Sequence, residues 1–222
     1  MLISCWSVKG GVGTTVVATC LALALARRAA PPGALLVDLG GDVPHALGLA
    51  EPVGPGLVEW MGAGPHVPPD ALARLSTEAG AGLHVLHRGT GTLGEERADV
   101  LASLLAADPR AVVVDAGRLD AEGRLDGGCG RVLAAASPRS LLVVRPCQLA
   151  LFRARHLPVA PTGVVVVREP ARALTVADVE RVVGVPVVAE LAVDPAVARA
   201  VDAGLLAARL PRSFAAAVEA IR

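Results

Sequence analysis

The chain has 222 residues, with 21 Lys plus Arg against 21 Asp plus Glu, 53% hydrophobic residues and 2% aromatic ones. That length suits one domain around one core, since an open α/β sheet can run past about 200 residues without splitting, and a division into two small domains stays open. The balanced charge removes any bulk attraction to DNA, RNA or an anionic membrane and excludes a histone-like or polybasic role.

In chain order, short runs rich in Val and Leu recur at residues 2–8, 34–39, 83–86, 111–115, 140–144, 163–167 and 185–188. They are continuous rather than alternating, which predicts strands buried on both faces of a parallel sheet. Helical patterns fall between them. The first covers residues 16–28 and is apolar almost all round, which predicts a buried helix; it is much shorter than the roughly 20 residues that span a bilayer. The segment GEERADVLASLLAADPR places acidic residues ahead of apolar positions at Val100, Leu101, Leu104 and Leu105 and stops at Asp108-Pro109. Thr175 with Asp178 reads as a capping box, and Asp194-Pro195 as a cap with proline at the first helical position, closed by Gly204. Alternating strands and helices predict βαβ units, a doubly wound parallel sheet and ligands at the carboxyl ends of its strands. The stretches 31–33, 52–56 and 62–69, rich in Pro and Gly, read as surface loops, and there is no internal repeat.

Cys5, Cys20, Cys129 and Cys147 show no zinc spacing, and the N-terminus lacks a signal-peptide pattern, so a reduced, cytoplasmic protein is expected. His45, His66, His84, His87 and His156 form no ligand pattern. Lys9 is the single lysine, and asparagine and tyrosine are absent.

That lysine opens the most informative segment, Lys9-Gly10-Gly11-Val12-Gly13-Thr14-Thr15, between the first strand and the first helix. Glycines let successive backbone N–H groups turn inward around a phosphate, the helix N-terminus adds partial positive charge, and a hydroxyl at the loop's end can hold Mg²⁺. The alternative is a tight strand-to-helix turn in which glycine serves packing alone.

KGGVGTT followed by a helix resembles the deviant Walker A motif, KGGxGK(S/T), of the ParA/MinD family of P-loop ATPases. LLVDLGGDVPHALGL resembles that family's second strand and acidic segment, AVVVDAG its Walker B strand, and VPVVAELAVDPAVARAVDAG its last strand and following helix, so the resemblance covers nearly the whole chain. Within the family the likeness is nearest to the CpaE/TadZ branch, whose members accompany Tad-type pilus machinery, and septum-site relatives are similar too. The resemblance implies one P-loop domain over residues 1–222 that binds ATP or ADP with Mg²⁺ in the loop 9–15. It also implies a nucleotide-dependent homodimer in which Lys9 reaches the partner's phosphates, with Thr15, Asp38 and Asp115 as magnesium residues.

This chain departs from the pattern. Thr14 stands where the Walker lysine belongs, and Gly40 replaces the second aspartate of the acidic segment, so hydrolysis is expected to be weak or absent. Asp42 either takes over that aspartate's catalytic place or is a solvated loop residue. With no asparagine to read adenine, Arg168 either borders the base or is a surface arginine. Pilus-assembly or septum-related proteins are the expected partners, with recruitment to the membrane or cell pole through one of them. Arg27-Arg28 and Arg153 with Arg155 are too sparse to form a DNA-binding patch.

Overall fold

The computed structural model describes residues 1–28, 32–64, 67–68, 70–120, 128–208, 214 and 221. His66 and parts of the loops 31–33 and 62–69 lie outside the described residues.

The elements run β1 (Leu2–Ser7), α1 (Thr14–Ala26), β2 (Ala34–Asp38), α2 (Val43–Leu47), α3 (Leu57–Gly62), α4 (Ala71–Arg74), β3 (Thr77–Glu78), β4 (Leu83–Leu86), α5 (Ala98–Ala107), β5 (Ala111–Arg118), α6 (Cys129–Ala136), β6 (Arg139–Val144), α7 (Gln148–Arg153), β7 (Gly163–Arg168), α8 (Val176–Val183), β8 (Val187–Ala192) and α9 (Pro195–Asp202). Among the described residues they build an eight-stranded sheet of order β3-β4-β2-β5-β1-β6-β7-β8. Every strand pair is parallel except β3 on β4, an antiparallel edge of two exposed residues. A two-residue exposed strand carries no apolar run, so the sequence offers no sign of it.

The central strands bury both faces. Leu2 and Trp6 of β1 face a core closed by α3 to α8, whereas Ile3 and Cys5 face a second core under α1, α2 and α9. This is the period-2 alternation of a strand covered on both sides, and it explains why the runs read as continuously apolar. α1 is buried nearly all round, with Val17, Leu21, Leu23 and Leu25 in the second core. Each such side chain contributes roughly 1.5–3 kcal/mol of burial.

Two strands end later than the apolar runs suggest. β5 continues to Arg118 after a register shift that sets Trp6 opposite Gly117. β8 lies at the far edge of the sheet and runs to Ala192, its exposed Glu190 paired with Arg168. Half of an edge strand faces water, so apolar continuity underestimates its length. The caps stand as read: Thr175 accepts from Asp178 N–H, and Asp194 Oδ1 accepts from Ala196 N–H at 2.7 Å. Of the last residues, Phe214 and Ile221 are buried in the core beneath α1, and Arg139 donates to the Ile221 carbonyl at 3.1 Å.

Candidate phosphate and metal site

β1 delivers the chain to the glycine loop at the middle of the sheet. The Ser7 hydroxyl sits within 3.1 Å of the Lys9 carbonyl and 3.3 Å of the Gly117 carbonyl, tying the base of the loop to β5. Val12 is buried in the core under α1 and anchors the loop from below. Gly11 and Gly13 adopt φ of +72° and +93°, a left-handed backbone that a β-carbon strains. A Cβ added at Gly10, Gly11 or Gly13 would meet no atom within 4 Å, so the loop borders an open concavity. Gly13 is the N-cap of α1 and supplies no side-chain hydrogen bond to the helix. Among the described residues, the N–H groups of Gly10, Gly11, Val12 and Gly13 donate to no other backbone group. Unpaired backbone amides beside a helix N-terminus are the groups from which anion sites are built. Thr14 is buried, while Lys9 is half-buried and its Nζ donates to the Gly10 carbonyl at 3.3 Å.

Two carboxylates close the other side. Asp38 and Asp115 are register partners, Asp38 at the carboxyl end of β2 and Asp115 within β5 just before its register shift, and neither is exposed. Burial pushes the Asp115 carboxyl up to about 7, against the lowering effect of the Thr15 hydroxyl, while the Asp38 charge adds to the rise. Its Oδ1 accepts the Gly117 N–H at 3.1 Å, and Oδ2 is buried and, among the described residues, has no partner at hydrogen-bond distance. Asp38 is also raised by burial, and its two oxygens accept the N–H of Gly41 at 2.7 Å and of Val43 at 3.1 Å. It thereby fixes the turn into α2 and keeps a lone pair on each oxygen. Asp42 is exposed at the N-cap of α2 without a capping bond, and its charge raises both Asp38 and Asp115, which puts it at the same mouth. Gly40 is exposed, and a Cβ there would stand 3.8 Å from Asp38 Oδ1.

These groups fit a magnesium ion held together with a phosphate. Asp115 offers a buried oxygen without a partner, the Thr15 hydroxyl faces it, and Mg²⁺ in such sites takes one or two carboxylates and completes its shell with water and phosphate oxygens. Among the described residues no group of three or more His, Cys, Asp or Glu is placed to hold a metal alone. Of the described histidines, His45 and His156 are exposed, His84 lies within β4 and His87 follows it.

Beside Gly13 a largely apolar hollow of about 270 Å³ opens between α1 and α9, with Val16, Val167 and Val193 in its wall. Arg168 is not part of that lining. Its neighbour Val167 faces α1, so alternation turns Arg168 to the other side of the sheet, where it pairs with Glu190 at 2.9 Å. Arg168 therefore stands as a surface arginine. The arginine that does line the hollow is Arg145, one residue beyond the end of β6. Its position at the carboxyl end of a strand is the sequence signal that finds it.

No protein-family model matches the sequence, and no curated protein matches it. Solved structures do. The cell division ATPase MinD of Pyrococcus furiosus is 21% identical, with 99% of this chain and 97% of that one covered and a TM-score of 0.75. A ParA family ATPase from Chlorobium tepidum is 18% identical, with 98% and 96% covered and a TM-score of 0.73. The septum site-determining protein MinD of Pyrococcus horikoshii, solved with Mg-ADP, is 17% identical, with 100% and 94% covered and a TM-score of 0.70. The likeness spans essentially the whole of each chain and gives the fold as the P-loop NTPase fold of ParA and MinD.

Proposed function

We propose that this chain is a single ParA/MinD-like domain that binds a magnesium nucleotide and dimerises face to face, acting as a spatial or assembly factor. The observation that carries the reading is the juxtaposition of an open, left-handed glycine loop with the partnerless buried oxygen of Asp115 across from Thr15. The loop amides of residues 10–15 would hold the phosphates and Thr15 with Asp115 the magnesium, whose charge would offset that of the phosphate oxygens. Asp38 would order the turn beside them. The Mg-ADP bound by the MinD of P. horikoshii supports the same class of ligand here.

Thr14 carries no charge and residue 40 has no side chain, so neither position supplies the cation or the carboxylate that speeds hydrolysis in the resembled proteins. Nucleotide would act as a dimerisation ligand with weak or no turnover. Lys9, at the rim of the loop, is the residue to reach a second copy. Among the described residues no helix is long and apolar enough to cross a membrane, so placement at a pilus base, septum or pole would run through a protein partner.

Titration calorimetry with Mg-ATP, followed by sedimentation of the same sample, tests the reading. Binding with a shift to dimer, lost in Lys9→Ala, supports it; no binding at millimolar nucleotide, or turnover at the rates usual for such ATPases, overturns it. Calorimetry is preferred to fluorescence because Trp6 is fully buried on the side of the sheet away from α1, with Nε1 bonded to Ser140 at 3.0 Å.

A further inference from the structure

The end of β5 carries a cation on the phosphate side of the sheet. Cys5 and its register partner Asp115 face α1. The register shift that follows sets Gly117 opposite Trp6 and leaves Ala116 buried in the Trp6 core on the other face. Ser7 and Arg118 pair next, and the residues after them, Val8 and Leu119, are buried in the Trp6 core again. Register partners of a parallel pair share a face and successive residues alternate, so Ser7 and Arg118 lie on the α1 side, with the glycine loop and Asp115. Two contacts fix Arg118 at the foot of the loop: Leu119 N–H donates to the Ser7 carbonyl at 2.9 Å, and the Ser7 hydroxyl lies 3.1 Å from the Lys9 carbonyl.

Arg118 is exposed, and among the described residues its guanidinium is in no ion pair. Other arginines near the loop are held: Arg153 Nη1 donates to the Val8 carbonyl at 3.3 Å, and Arg145 Nη1 pairs with Glu169 at 2.9 Å. A Cβ added at Gly117 would meet one atom, the Gly40 Cα at 4.0 Å, so glycine stands on both sides of the gap between the ends of β2 and β5. Phosphates seated on the loop, with their metal at Thr15 and Asp115, would extend toward that gap. Asp38, Asp42 and Asp115 stand around it, and Thr14 adds no charge, so a terminal phosphate there needs a further cation. A guanidinium fork matches two phosphate oxygens. We propose that Arg118 binds the terminal phosphate of the nucleotide and supplies from β5 the charge that Thr14 lacks. This rests on the nucleotide reading above and names a phosphate contact outside the loop.

Titration calorimetry of the full chain with Mg-ATP and Mg-ADP tests it, with thermal unfolding of the nucleotide-free proteins alongside. Arg118→Ala should weaken Mg-ATP binding roughly ten- to a hundredfold, the range of one charge-assisted contact, and Mg-ADP binding by much less. The Tm without nucleotide should not change, because the side chain is exposed. Arg118→Lys, which keeps the charge and loses the fork, should bind Mg-ATP with an affinity between the other two. Unchanged Mg-ATP affinity in Arg118→Ala, or an equal loss for both nucleotides, overturns the assignment and leaves the nucleotide reading standing. Binding of neither nucleotide by the unmodified chain overturns that reading and the assignment with it.

Discussion

Replacing Asp115 with Asn should make the nucleotide-free protein more stable at neutral and alkaline pH. The carboxyl is buried beside Asp38, its Oδ2 has no partner, and its pKa rises from 3.8 to about 7. A carboxyl raised on folding binds its proton more tightly in the native state. Its contribution to stability is therefore greatest at low pH, declines as pH climbs from the unfolded value toward about 7, and is flat above that. The size of the decline is roughly 4 kcal/mol at about 1.4 kcal/mol per pH unit. Asparagine keeps an oxygen for the Gly117 N–H and removes the charge. Urea unfolding at about pH 4 and about pH 8 measures the difference. The two proteins should be similar in acid, and the variant should gain up to roughly 4 kcal/mol over the original in base. The nucleotide-dependent gain in stability, by contrast, should disappear in the variant. A variant no more stable than the original at the higher pH would refute the argument, because it would mean that Asp115 is not held ionised against its surroundings.

Metal binding should follow the same proton. Because Asp115 must ionise to hold Mg²⁺, magnesium-dependent nucleotide affinity should fall as pH drops below about 7, with proton release on binding measurable by calorimetry in buffers of different ionisation heat. Gly13→Ala places a β-carbon at φ +93° and into the open cradle; it should cost roughly 1–2 kcal/mol in thermal unfolding and abolish phosphate binding. Thr14→Lys adds a cation at the start of α1 and should tighten nucleotide binding roughly ten- to a hundredfold by calorimetry.

Part of the site was legible before any coordinates. A loop whose backbone turns left-handed needs glycine, so Gly10-Gly11-Val12-Gly13 between an apolar run and a helix declares itself locally. Asp38 and Asp115 were legible for a related reason: each follows a run of buried apolar residues, and the ends of such runs are where sheets of this kind collect their chemistry. Their division of labour was not legible. Asp38 spends an acceptor position of each oxygen on the turn into α2, and Asp115 keeps a bare oxygen, because of how the loop after β2 folds back.

The sequence by itself determined seven of the eight described strands, the buried first helix, the glycine loop between β1 and α1 and the doubly wound order of elements, all of which follow from apolar periodicity and local turn chemistry. Tertiary structure alone decided which arginine meets the hollow. Arg145 and Arg168 both stand at the ends of buried strands, and only the alternation of β6 and β7 over α1 turns one toward Gly13 and the other toward Glu190. It also decided the electrostatics, since the pKa of Asp115 is set by exclusion of water between β2, β5 and α1 and by the Asp38 charge beside it. Burial and long-range neighbours are properties of packing, and no local pattern of residues encodes them.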